Sequence, residues 1–231
     1  MAADLLYSDG PLRALATDLE RIGEKSAECD RKLELQPLRT RPTRAYEPGS
    51  RSGGSEVYAR LTGAWQVRPV GKKRPNRLIA FSGSASTVVE LWPAGCLWRE
   101  KENASCRLAM WRIELGADDS PGCYFHFQIL GDRYDNPFPK RIPIPRLPSP
   151  FVTPMAAVEF ALSELFQDKW QGKARGSRDH HRRWRKIQLQ RWLSLLRWQQ
   201  QTVNDTMRTG TSSPWISLKS AKPPNNLFKC A

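Results

Sequence analysis

Between residues 77 and 130 the chain repeats one pattern: "RLIAF" (77–81), "STVVELW" (86–92), "CLWR" (96–99), "CRLAMWRIEL" (106–115) and "CYFHFQIL" (123–130). Each run is β-branched, aromatic or aliphatic, and the connectors "SGSA", "PAG", "EKENA" and "GADDSPG" are turn-forming. Connectors this short join only antiparallel neighbours, because a parallel crossover needs a dozen residues or more. The pattern therefore predicts an antiparallel meander of four to five strands.

The next segment, "KRIPIPRLPSP", has proline at every second or third position, which excludes a central strand and favours an extended edge or polyproline path. Thr153 and Pro154 then cap "MAAVEFALSELFQDKW", where Val158, Ala161, Leu162, Leu165 and Phe166 make one apolar stripe. A helix with that stripe covers a sheet. Residues 57–170 thus read as an α+β core domain.

Two helical segments flank this core. Leu12, Leu15, Leu19, Ile22, Cys29 and Leu33 recur at steps of three, four or seven, which predicts an amphipathic helix over 11–33 within an N-terminal segment 1–35. Its stripe fits docking within the chain, with a short coiled coil between two copies as the alternative. Residues 36–56, rich in Pro, Arg, Gly and Ser, read as a mobile basic linker. At the other end, 171–203 hold a Trp/Arg-rich helix, "RDHHRRWRKIQLQRWLSLLRWQQQ". Placed at ~100° per residue, its apolar groups cover about two thirds of the circumference, leaving Arg183, Lys186, Gln190 and Arg197 as a narrow polar strip. Such a helix needs apolar contact on two sides. An internal core position with a basic entrance, a nucleic-acid or protein partner, and an anionic membrane surface all satisfy it. Residues 204–231 read as an irregular strap.

The formal net charge of +14 is segmental. Residues 36–55 carry +3, residues 68–77 carry +5 and residues 171–191 carry +7, which leaves everything else about neutral. Clusters of this kind point to a polyanionic partner, nucleic acid or an acidic protein surface. The candidate nucleic-acid contacts are Lys72, Lys73, Arg74, Arg77, Arg178, Arg182, Arg183, Arg185 and Lys186, with Trp184 for stacking. No apolar run is long enough to cross a membrane and no secretory leader is evident, so a soluble, cytoplasmic protein is expected. Five scattered cysteines without a C-x-x-C fit reduced thiols. No metal or other cofactor is expected, and His180 and His181 read as a solvated helix start.

Alternation along 123–130 puts Cys123, Phe125, Phe127 and Ile129 on one face and Tyr124, His126, Gln128 and Leu130 on the other. If 106–115 pairs with this strand, Arg112 and Glu114 lie beside His126. A histidine between carboxylate and guanidinium suits acid–base attack on a phosphodiester. A polar face on a half-exposed sheet has the same alternation without chemistry. The P-loop, G-x-S-x-G, H-E-x-x-H, G-x-G-x-x-G and zinc-deaminase patterns are all missing, which disfavours the common nucleotide-driven and hydrolase classes.

The order His126-x-Gln128 on a strand, then "KRIPIPRLPSP", then a Pro-capped helix ending in "ELFQDKW" resembles small bacterial α+β proteins of unknown function and some toxin–antitoxin toxins. In those, a His-x-His strand precedes an Arg-Ile-Pro segment and a helix. The resemblance spans roughly 123–170, has Gln128 in place of the second histidine, and implies a bacterial accessory or defence-type protein. The leading expectation is a non-enzymatic binding protein contacting nucleic acid or a nucleic-acid-handling complex. One rival is a metal-independent ribonuclease-like toxin using His126 with Tyr124, Gln128, Arg112 or Arg146. The other is an assembly subunit held through its terminal helices.

Overall fold

A computed structural model describes residues 4–24, 29–46, 55–70, 78–97, 106–115, 125–130, 147–149 and 153–210, together with Ser213, Ser217 and Leu218. The chain is α+β. A helix α1 (Gly10–Glu24) precedes strands β1 (Arg31–Arg39), β2 (Val57–Val70), β3 (Leu78–Pro93), β4 (Ala109–Leu115), β5 (Phe125–Leu130) and the two-residue β6 (Leu147–Pro148). Helices α2 (Pro154–Ala174) and α3 (Asp179–Thr209) follow. All strand pairs are antiparallel and their spatial order is their chain order. The expected meander is present, in five full strands and a short sixth.

Several boundaries differ from expectation, each for a local reason. "RLIAF" and "STVVELW" are one 16-residue strand. The "SGSA" between them is a bulge: Trp65 pairs with Ala85 and Val67 with Phe81, so Ser82–Gly83–Ser84 oppose the single residue Gln66. Gln66 Oε1 accepts from Ser84 N at 3.2 Å, and a Cβ on Gly83 would sit 1.9 Å from that oxygen. Small polar residues that signal a turn locally are here a kink inside a ladder. The "CLWR" run is not a strand: Cys96 closes a short 3₁₀ turn, Ala94–Cys96, and Leu97 follows it.

The N-terminal helix stops at Glu24, just after Gly23, and Leu33 belongs to β1. Leu33 continues the three-and-four spacing of the α1 stripe, but it also alternates with Leu35, and pairing with β2 through Leu33↔Trp65 and Leu35↔Gly63 decides the matter. Residues 36–46 are accordingly no linker. Thr40 is fully buried, its N–H donates to Ala59 O and its Oγ1 accepts from Ala59 N at 2.9 Å. Thr43 bridges Val57, and Tyr46 O accepts from Gln167 Nε2 of α2 at 2.8 Å. Gln167 has φ 35°, a positive-φ backbone that kinks α2. Residues 47–54 lie outside the described part.

One sheet face carries Leu33, Leu35, Leu61, Trp65, Val67, Val89, Ile113, Leu115 and Phe125 into the main core. Onto it pack Leu15 and Ile22 of α1, the α2 stripe Val158, Ala161, Leu162, Leu165, Phe166 and Trp170, and Leu195 of α3. The Thr153 cap forms as expected, with Oγ1 accepting from Ala156 N at 3.2 Å and Pro154 in the first turn. Leu147 and Pro148 pair with β5 as an edge. The last helix continues to Thr209, eight residues beyond "QQQ", and ends on Gly210 in the left-handed region at φ 63°. Its terminal turns occupy ground assigned to the strap.

Leu61 is 0% exposed at the centre of β2. Leu61→Ala should cost about 3 kcal/mol, read as a lower urea midpoint with an unchanged slope, whereas Thr153→Ala should cost about 1 kcal/mol.

Candidate nucleic-acid interface

The basic segment 171–191 folds into an elbow between α2 and α3. Arg175, Arg178, Arg182, Arg183 and Lys186 are exposed there. Asp179 is the one carboxylate between residues 175 and 191, and it pairs with Arg182 at 2.5 Å. Arg178 caps α3 without a side-chain hydrogen bond, so the positive end of a 31-residue helix lies among these cations. Arg185 is different. Its Nη1 donates to Ala174 O at 2.5 Å and to Gly176 O at 2.9 Å, tying the end of α2 to α3. It is a structural strut rather than a phosphate contact. Lys72, Lys73, Arg74 and Arg77 lie outside the described residues.

The two histidines of the elbow meet edge to face, with ring centroids 4.1 Å apart and planes at 74°. Gly176 makes room for this, because a Cβ there would sit 1.8 Å from His181 Nδ1. Partial burial, followed by the neighbouring His180, Arg178 and Arg185, holds the His181 pKa below its ordinary value. The imidazole is therefore biased toward its neutral form.

Along α3, Trp184, Gln188, Arg191, Leu195, Trp198, Thr202 and Thr206 recur at steps of three and four and form the inward side. Trp198 meets Phe125 edge-on at 5.9 Å between centroids. Trp184 is half-buried and faces Glu159 of α2, whose carboxyl is pushed up by burial while the indole contact pulls it down. Trp184 is thus turned into the fold, contrary to its expected role as a stacking platform. The outward side carries Leu189 (63% exposed), Trp192 (43%), Leu193 (51%) and Leu196 (50%). The helix has its two apolar sides, one spent inside the chain and one open. Trp192 is the indole that faces solvent.

The second face of the sheet holds the His126 constellation. In the β4–β5 register Glu114 stands opposite His126 and Arg112 opposite Gln128. Glu114 Oε2 accepts from His126 Nε2 at 3.2 Å and Glu114 Oε1 pairs with Arg112 Nε at 3.2 Å, while Arg112 Nη2 reaches Gln128 Oε1 at 3.4 Å. The predicted neighbours are together. His126 itself is not solvent-facing, though, being only 1% exposed, while Arg112 and Gln128 beside it are partly exposed. Tyr124 and Arg146 lie outside the described residues.

A second charge cluster on this face escaped sequence reading. Glu90 of β3 pairs with Arg107 at 2.8 Å and with Arg60 at 3.6 Å, all three largely buried. Beside it Tyr58 and Trp92 stand opposite each other across β2–β3, and burial pushes the Tyr58 phenol up. The signal was available only by placing Arg60 on a strand, since Arg60↔Glu90 follows from the β2–β3 register. Gly63 and Pro69 interrupt β2 and mask it as a strand.

Among the described residues no group of three His, Cys, Asp or Glu side chains could hold a metal ion, and no helix is long and apolar enough to cross a membrane. A scan against protein-family models, a search of curated proteins and a search of solved structures each return no match.

Glu90→Gln keeps the shape but leaves two buried guanidinium groups facing a neutral amide. The expected cost is about 3 kcal/mol in urea unfolding, most of it recovered in the double variant Glu90→Gln/Arg107→Met.

Proposed function

We propose that this chain is a polyanion-binding protein whose partner is nucleic acid, engaged without catalysis by the α2–α3 elbow and the first turns of α3. The observation that carries this reading is a contrast in how charge is disposed. Across the sheet, cations are matched by nearby carboxylates: Arg60 and Arg107 by Glu90, Arg112 by Glu114, Arg68 by Asp30. At the elbow five exposed cations share one aspartate. Charge left unmatched and displayed at a helix start suits phosphate oxygens, which draw on backbone N–H groups and guanidinium forks together. Trp192, one to two turns further along α3, offers a sequence-tolerant stacking surface for a base. The setting in bacterial defence or toxin–antitoxin function rests on the resemblance over 123–170.

The ribonuclease-like alternative finds little support in the site. A general base must come within hydrogen-bond reach of the proton it takes, and His126 is buried and engaged with Glu114. Its hydrogen bond with Glu114 reads as structural.

Labelled single-stranded RNA and DNA followed by fluorescence anisotropy test the proposal. Log affinity should fall linearly with log salt, by about 0.7 to 0.9 per phosphate neutralised. The triple variant Arg178→Gln/Arg183→Gln/Lys186→Gln should flatten that slope by about 3, roughly one per cation removed. A salt-independent affinity, or a slope untouched by the triple variant, would sink it.

His181 adds a pH signature. Its folded-state pKa is lowered, and phosphate favours the imidazolium, so binding raises it. Affinity should increase as pH falls from about 7.5 toward 5.5, through the range where histidine titrates, and His181→Gln should show a shallower rise.

A further inference from the structure

Between α1, the core face of the sheet and the start of α2 lies a cavity of about 350 Å³. Leu12, Leu15 and Leu19 of α1 form one wall, and Leu33, Val67 and Ile79 of the sheet form another. The α1 stripe thus packs on the sheet through Leu15 and Ile22 yet leaves an apolar pocket beside them. Voids larger than a water molecule are few in protein interiors, and an apolar one of ~150 Å³ already takes up a benzene-sized guest. Water is a poor occupant here, since it needs two to four polar partners and this lining is almost wholly hydrocarbon and indole.

Two features give the cavity a polar end. Among the described residues, Arg191 of α3 carries the one charge on the lining. Thr153 and Pro154, the cap and first residue of α2, also border it, so the positive end of the helical segment that runs up to the kink at Gln167 lies there. Both features favour negative charge. A methylene occupies about the ~30 Å³ of a water in the liquid, so about twelve carbons fill the space.

We propose that this cavity is a binding site for an acyl-chain carboxylate or a similar single-chain amphiphile with an anionic head, the chain lying between α1 and the sheet and the head at Arg191 and the α2 start. The site is separate from the polyanion-binding surface. The elbow cations point outward, whereas Arg191 belongs to the inward side of α3.

The test is calorimetric titration of the full chain with dodecanoate, dodecan-1-ol and dodecyltrimethylammonium, each below its micellar concentration. Dodecanoate should bind once per chain with a negative heat-capacity change, and at least ~10-fold more tightly than the cationic surfactant. Arg191→Gln should weaken dodecanoate about 10-fold and leave dodecan-1-ol unchanged. Val67→Phe, which puts a ring into the void, should abolish uptake of all three while the far-ultraviolet circular dichroism stays native. If that variant does not fold, Ile79→Phe fills the same space from β3. The proposal is overturned by absence of saturable dodecanoate binding, by equal binding of anion and cation, or by undiminished uptake in a folded cavity-filled variant.

Discussion

The pairing of β2 with β3 is the constraint on which the remaining structure depends. Fourteen and sixteen residues long, these strands run antiparallel from Val57↔Pro93 to Val70↔Leu78, and every other sheet element is added to one edge of this ribbon or the other. The register sorts side chains strictly. Leu61, Trp65 and Val89 go to the helical side, while Tyr58, Arg60, Glu90 and Trp92 go to the opposite side. Because side chains alternate with period two, a slip of one residue would bury Arg60 and Glu90 in the apolar core, so register is strongly specified. The bulge at Ser82–Ser84 absorbs the extra residues without moving either end out of phase.

That sorting explains why charge means different things in different parts of the chain. On the second sheet face, guanidinium groups come with carboxylates, across strands for Arg60 and Glu90, along β4 for Arg112 and Glu114, and from the segment before β4 for Arg107, and burial favours the pairing, since an uncompensated ion inside protein is costly. The α2–α3 elbow is under no such constraint. Its cations are solvated, cost little to leave unmatched, and remain available to a partner. The same helix that displays them turns Leu195, Trp198 and Trp184 inward, so the basic surface is anchored to the core. A surface so mounted can meet a polyanion with little reorganisation.

Strand-sized apolar runs at 106–115 and 123–130, the Thr153–Pro154 cap and the apolar stripe of α2 were readable from local pattern, because each is decided by residues within a few positions of one another. So was the neighbourhood of His126, since hairpin register follows from alternation. Reading failed where two periods competed. Leu33 fits both a helix stripe ending at 33 and a strand beginning at 31. Ser82–Gly83–Ser84 fits both a turn and a bulge. In each case the partner strand made the choice, and it lies some thirty or about sixteen residues away in the chain.

By itself, then, the sequence determined the class of fold, the placement of most strands and helices, and the concentration of positive charge in separate segments, all of which follow from residue type and short-range spacing. Only the tertiary structure decided that His126 is buried and held by Glu114, that Arg185 is a strut while Arg183 is displayed, that Trp184 faces inward and Trp192 outward, and that α1 leaves a cavity beside its contacts with the sheet. Those outcomes depend on which surfaces meet across the chain, and a helix with apolar residues on most of its circumference carries no local signal for which side meets the protein and which meets solvent.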